Sequence, residues 1–301
     1  MMARVIVIGG ANVDIKGRCG APYVSGTSNP GDVTVSPGGV GRNIADNLAR
    51  LGIAASLFTV LGKDANGEFL RTACAAAGID LSHTVTSDAA TGTYLAVLDD
   101  TGEMVSAVSD MHAIEGLAPA HLEAAASHLA AADMLVADCN IPVSCLAWLC
   151  AFAADHGRRL LIEPVSVAKS AKLLQFERAQ PVFAVTPNMQ QLAALAGGDV
   201  HRLHERGFAN VVVHRGGKGA LASDGQISVE VAPLCTAAAV ADVTGAGDAA
   251  VAGLVCGLVE GRTLVQAARL GQAAAASKIS SRESVAMGLA RDRVFRLAGL
   301  P

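Results

Sequence analysis

Short apolar runs alternate along this chain with Ala-rich segments of helical length, and that alternation leaves few architectures open. Residues 4–8, 55–60, 134–137, 159–162, 182–186 and 210–214 have strand length and carry Val, Ile and Leu without a regular polar face. Helical stretches lie between them at 39–51, 67–77, 120–131, 143–156 and 188–195, and two long Ala-rich ones follow at 249–259 and 264–281. Strands of this kind separated by helices predict an α/β fold: a mostly parallel central sheet covered by helices on both faces. With 51% hydrophobic but only 3% aromatic residues, the core must be built from Ala, Val, Leu and Ile.

Two stretches break the rhythm. Residues 16–37 are rich in Gly, Ser, Pro, Thr and Asn, and 91–109 read as two β pieces joined by a turn at 99–102. They predict a small second sheet, a lid over a pocket at the ends of the main strands. No repeat or clean linker appears, so residues 1–301 read as one domain with lid insertions.

The bulk properties exclude several classes. Net charge is −4 with no basic cluster, which argues against nucleic-acid binding through phosphate neutralisation. Mean hydropathy is +0.41. Even so, no run of about 18 apolar residues exists to span a bilayer, and the first residues lead into a strand rather than a signal peptide. Seven cysteines without CxxC spacing suit a reduced cytosol, where thiols act as small hydrophobes. His201 and His204 have helical spacing but no argued carboxylate or Cys partner, so they are expected as exposed histidines and not a metal site.

The segment running from Ala241 through Asp242, Val243, Thr244, Gly245, Ala246, Gly247 and Asp248 to Ala249 is the most informative. A Gly-rich turn opens a helix, leaving the amides of Gly245, Ala246 and Gly247 at an N-terminus where positive partial charge gathers. Such a nest binds phosphate, and Asp248 in the first turn can reach a hydroxyl set for in-line attack. The plain alternative is a tight turn with Asp248 as a cap. A second motif spans Ser36 to Ala45. Gly38 and Gly39 let the backbone lie against a polyol, and Asn43 offers both donor and acceptor. It is not a dinucleotide fingerprint, since the third Gly and a later acidic residue are missing. Asp14, just past the first strand, stands where open α/β sheets bind ligands and could grip vicinal hydroxyls.

Together these motifs resemble the ribokinase-like (phosphofructokinase-B type) kinases over nearly the whole chain. The resemblance implies that Asp248 is the catalytic base, that the preceding amides form the anion hole, and that Asp14 holds the sugar. Asn188 matches the family's Asn-x-x-Glu element, which helps place magnesium and phosphates, although Gln191 stands in place of Glu. His214, Gly216 and Gly219 fall where the family cradles ATP phosphates, with a plain turn as the equal alternative, and Thr244 belongs to the same cofactor set. Mg·ATP is the implied cofactor, because phosphoryl transfer relies on metal neutralisation. A monovalent cation on the backbone of residues 242–244 is a further option.

Additional strings, among them those around Asn12, Ser28–Asn29, Gly38, Met104, Asp110, Asn140 and Glu163, resemble the pseudouridine kinase subgroup. That resemblance implies phosphorylation of a nucleoside 5′-hydroxyl, with Asn12, Ser28, Asn29 and Asn140 as polar partners near the pocket mouth. The alternatives are a ribokinase- or adenosine-type kinase of broader range, a non-catalytic sensor and, more distantly, an NAD-dependent oxidoreductase. The expected partners are a nucleoside or sugar and ATP, in the cytoplasm, and an exposed lid edge offers a surface for a homodimer.

Overall fold

A computed structural model of the chain describes residues 3–175, 181–234, 242–281 and 283–301; Ala241, which opens the Gly245 motif, and Cys235 lie outside them. The chain starts with β1 (Arg4–Ile8) and runs into β2 (Asn12–Cys19) and β3 (Gly31–Gly38). Next come α1 (Val40–Arg50), β4 (Ala54–Phe58), β5 (Val60–Gly62) and α2 (Ala65–Ala76). β6 (Val85–Ser87), β7 (Thr93–Leu98), β8 (Met104–Asp110) and three short helices follow: α3 (His112–Glu115), α4 (Pro119–Ala124) and α5 (Ala126–Ala130). The regular alternation is β9 (Met134–Asp138), α6 (Val143–Asp155), β10 (Leu160–Glu163), α7 (Val167–Ser170), β11 (Val182–Val185), α8 (Met189–Ala196), α9 (Val200–Glu205) and β12 (Phe208–His214). β13 (Ala220–Ser223), β14 (Ser228–Val231), α10 (Ala246–Val259), α11 (Leu264–Ile279) and α12 (Arg291–Ala298) complete it.

Among the described residues the main sheet has eight strands in the order β14-β13-β12-β11-β10-β9-β1-β4. From β4 to β12 every pairing is parallel, and β13 and β14 add an antiparallel edge. Alternate residues of β1 feed two separate cores. Val5 and Val7 join Ile44, Leu48, Leu254 and Leu270 from α1, α10 and α11. Ile6 and Ile8 join Leu122, Leu146 and Leu195 from α4, α6 and α8. Burial on both faces is why these strands show no polar alternation. It also brings the C-terminal ends of β1, β9, β10, β11 and β12 to one edge, with Asp138, Glu163 and His214 as the last residues of their strands. Among the described residues no helix is long and apolar enough to cross a membrane.

The second sheet has the order β3-β2-β7-β8, and its outer strands β3 and β8 are exposed along most of their length. It begins at Asn12, earlier than the Gly-rich composition suggests. Asp14 is therefore a residue of a lid strand, paired with Ser36 of β3 and Tyr94 of β7, and not part of a free turn. The helix expected over 120–131 breaks at Ala125 into α4 and α5, because Ala125 takes a non-helical φ of −103°.

α10 and α11 form the closest helix pair, and glycine makes it possible. A Cβ on Gly253 would lie 2.6 Å from the Leu270 carbonyl oxygen, and one on Gly271 would lie 2.6 Å from that of Ala250. Backbone meets backbone there, so added atoms have no side chain to displace. Gly253→Val should cost about 1–3 kcal/mol of stability through overpacking, read as a lower denaturation midpoint. An unchanged midpoint would mean that α10 and α11 part without loss.

Candidate active site

Asp248 sits in the first turn of α10, and its Oδ2 accepts a hydrogen bond from Asn43 Nδ2 of α1 at 2.7 Å. The two sequence motifs thus meet at one hydrogen bond. Asn43 is not free to turn over. Its Oδ1 accepts from the Arg42 guanidinium, which has only donors to offer, so the amide nitrogen must face Asp248. Arg42 is itself buried and held by Asp46, Nη1 to Oδ2 at 3.0 Å. Burial pushes the Asp248 carboxyl up to about 7, and the acids Asp138 and Asp14 act in the same direction, while the Asn43 bond and Arg42 oppose it.

Asp14 lies beside this pair. Asn12 Nδ2 donates to its Oδ1 at 2.6 Å, and burial raises its carboxyl from the ordinary range. Gly38 exists for this carboxylate: a Cβ there would lie 2.3 Å from Asp14 Oδ1. Gly39 takes φ +97° and packs so close to Gly10 that a Cβ would lie 2.5 Å from its carbonyl oxygen. The paired glycines therefore admit a protein carboxylate and a neighbouring loop.

Asp138, fully buried at the end of β9, gathers the loops. Its Oδ2 accepts from the amides of Gly10 at 2.9 Å and Gly41 at 2.8 Å and from Asn140 Nδ2 at 2.9 Å. Its Oδ1 accepts the Asn140 amide at 2.8 Å. Asn140 is close to saturated, since its Oδ1 also accepts from Lys169 Nζ. Ser28 and Asn29 are not brought into this cluster. Ser28 is exposed. Asn29 spends its amide on its own loop, accepting from the Val24 amide at 2.8 Å and donating to the Val24 and Thr27 carbonyls. The structure thus shows Asn29 as a loop staple.

The turn before α10 has the expected form, with one added turn bond. Gly245 adopts φ +78°, and a Cβ on it would lie 2.0 Å from the Ser284 carbonyl oxygen, so only glycine fits. The Ala246 amide, however, donates to the Val243 carbonyl at 3.1 Å. Ala246 still lines the cavity beside this turn together with Gly247. Thr244 is exposed, its amide closing onto Asp242 Oδ1 at 2.8 Å.

Next to the nest a cavity of about 340 Å³ opens between α10, α11 and the end of β12. Its walls include Asn188, His214, Gly216, Gly219, Gly247 and Gln272. A larger hollow of about 430 Å³ lies at the start of β10 and β11, by Arg159 and Val182. That is the wrong end of a parallel sheet for a ligand, and it holds none of the buried acids. His214 is uncharged at neutral pH, because burial drives its pKa down to about 4. Asn188 and Gln191 cap α8 reciprocally: Gln191 donates its amide to Asn188 Oδ1 at 2.9 Å, and Asn188 donates its own to Gln191 Oε1 at 2.7 Å. Gln191 thus serves the helix end. His204 is not simply exposed: its ring nitrogens lie 2.7 Å from the Phe208 carbonyl and 2.8 Å from Ser223 Oγ.

Four groups had no role assigned from the sequence: Arg42, Asp138, Glu163 and Lys169. Glu163 ends β10, bonded to the Thr186 hydroxyl at 2.5 Å and the Val165 amide at 3.1 Å, and burial pushes it up to about 8. The signal was there, for an acid closing an apolar run of a parallel sheet stands at the ligand-binding edge.

A model of the pfkB family carbohydrate kinases matches residues 2–289. The chain is 34% identical over 290 residues to the pseudouridine kinase of Escherichia coli (strain K12), covering 92% of this chain and 90% of that protein. A solved carbohydrate kinase from Agrobacterium tumefaciens matches at TM-score 0.87 and 32% identity, covering 99% of this chain and 98% of its own. Arabidopsis thaliana ribokinase, solved with ribose and ATP, shares the fold at TM-score 0.83 and 22% identity, with 100% of each chain covered.

The buried acids give the free protein a pH dependence of definite sign. Between the ordinary carboxylate range and about 7 to 8, folded Asp248 and Glu163 hold protons that the unfolded chain has released. Stability therefore falls as pH rises through that window. His214 acts oppositely, but only below the ordinary His value of 6.5. Urea unfolding of the ligand-free protein should thus show stability dropping between about pH 6.5 and 8, and the double substitution Asp248→Asn, Glu163→Gln should flatten the slope. A rise in stability over that interval would contradict these environments.

Proposed function

The chain belongs to the pfkB family of carbohydrate kinases, phosphotransferases with an alcohol group as acceptor, and we propose that its reaction is transfer of the γ-phosphoryl of ATP to the 5′-hydroxyl of pseudouridine. The observation that carries the mechanism is the Asn43–Asp248 hydrogen bond. It sets a carboxylate with a pKa of about 7 between the Gly245 turn and the Asp14 cluster. Asp248 accepts the proton of the 5′-hydroxyl as its oxygen bonds to the γ-phosphorus and the bond to the β-phosphate oxygen breaks, releasing ADP. Asp14 and Asn12 grip the ribose hydroxyls. The Gly245 and Gly247 amides face the charge on the transferring group at a helix N-terminus. The 340 Å³ cavity beside them would take the nucleotide.

Magnesium fits this site as a companion of the nucleotide. An ion of this kind is bound through one or two carboxylates together with the substrate phosphates. Glu163 would hold it: its carboxyl stands among the acids Asp248 and Asp138, and a bound cation would displace the proton that burial keeps on it in the free protein. When bound, the ion neutralises phosphate charge. All else falls to the chain's own groups, which orient the hydroxyl and take its proton.

The pseudouridine reading rests on the relative of 34% identity. A ribokinase- or adenosine-type range is the second reading, favoured by the sugar-gripping Asp14–Asn12 pair, which any ribose would satisfy. A sensor has no use for the Asp248 arrangement.

With Mg·ATP and a panel of pseudouridine, uridine, ribose and adenosine, kcat/KM should be highest for pseudouridine; a preference for another acceptor would replace the substrate assignment and leave the kinase. Asp248→Asn should lower kcat by about 10²–10⁴-fold at unchanged fold. In the parent protein the acid limb of kcat/KM should lie near pH 7, the value of the free base. Near-normal turnover by Asp248→Asn would remove Asp248 from the base role.

A further inference from the structure

Lys278, in the last turn of α11, is 0% exposed. Among the described residues its hydrogen bonds go to carbonyl oxygens and not to a carboxylate: Asp242 at 2.9 Å and Ser281 at 3.2 Å. Burying an ammonium is costly unless it is well used, and none of the chemistry above uses it.

Its position shows the use. Asp242 opens the turn that leads through Gly245 into the nest. Ser281 precedes the segment whose Ser284 carbonyl packs against Gly245, so closely that a Cβ there would clash at 2.0 Å. One cation therefore ties together the two strands of backbone that shape the nest. The Asp242 carboxylate lies alongside; its pKa is lowered, against burial, first by the Thr244 hydrogen bonds and then by Lys278 and Lys16 of the lid, and Lys16 Nζ stands 4.0 Å from Asp242 Oδ2.

This is where the sequence offered a monovalent cation on the backbone of residues 242–244. The residues present do not fit one, for the Asp242 carbonyl already faces an ammonium. We infer that the Lys278 ammonium is the resident cation of this turn, fixing the phosphate nest by a covalently tethered charge, so that the enzyme needs no free monovalent cation. The inference rests on the reading that the Gly245 turn receives phosphate.

The test compares kcat with pseudouridine and Mg·ATP in potassium, sodium and tetramethylammonium salts at equal ionic strength. If pseudouridine is not phosphorylated, the best acceptor of the panel is used. The parent protein should turn over alike in all three. Lys278→Ala should lose about 10–100-fold in tetramethylammonium, the worth of hydrogen bonds to a charged group. Potassium or methylammonium should restore part of that loss and raise the variant's melting temperature, with no such shift in the parent. A parent protein that is active in potassium and fails in tetramethylammonium overturns the inference, and this arm needs no variant. A folded Lys278→Ala with undiminished kcat in tetramethylammonium, or with a loss that no small cation repairs, overturns it too. Inactivity of the parent in every salt with every acceptor would instead sink the proposed function.

Discussion

A single buried carboxylate sets the geometry on which the site depends. Asp138 receives four N–H donors from three places: the loop after β1, the first turn of α1 and Asn140. A carboxylate with no exposure is tolerated only when its oxygens are so satisfied. The arrangement also explains the glycines around it. A Cβ on Gly9 would lie 2.5 Å from Asp138 Oδ2, and one on Gly41 would lie 2.8 Å from Gly9 Cα. The carboxylate and the bare backbone fit each other, and together they fix where α1 starts. The start of α1 in turn fixes Arg42 and Asn43, and through Asn43 the direction of Asp248.

Much of this was legible before any coordinate, and the unread part has a common cause. Apolar runs without a polar face gave the parallel sheet because burial on two faces leaves no other pattern. The Gly245 and Gly38 motifs pointed to the site because glycine with positive φ is a local demand, visible in sequence. Asp14 was expected just past the first strand and lies instead within β2, since Gly17 masked the alternation that makes β2 a strand. Asp138, Glu163 and Lys278 stayed hidden because their meaning lies in pairings far apart in the chain. Asp138 and Gly10, for example, are 128 residues apart. Asn29 went the other way: it looked available in sequence, and its amide is occupied by its own loop.

The cleft concentrates Asp14, Asp138, Glu163 and Asp248 where water is scarce, and such a cluster resists full ionisation. Two kinds of positive charge stand against it. Arg42 and Lys169 reach the acids through amides, so their charge is felt while their hydrogen bonds decide which way Asn43 and Asn140 face. That is a sharper use of a cation than a direct ion pair: a guanidinium bonded to Asp248 itself would hold that carboxylate ionised but cover the oxygen that the proposed function offers to a hydroxyl.

On the proposed function, Lys278 completes the same logic beside the Gly245 turn. A backbone nest binds phosphate with partial charges alone, and its shape rests on a turn that glycine leaves free to move. A mobile ion could hold that turn only while bound, so the nest would be assembled for a fraction of the time set by the ion's concentration. An ammonium carried on α11, wedged against α10 by Gly253 and Gly271, is present at every moment. The close helix pair and the buried lysine therefore serve one end, since the first brings the second within reach of the turn.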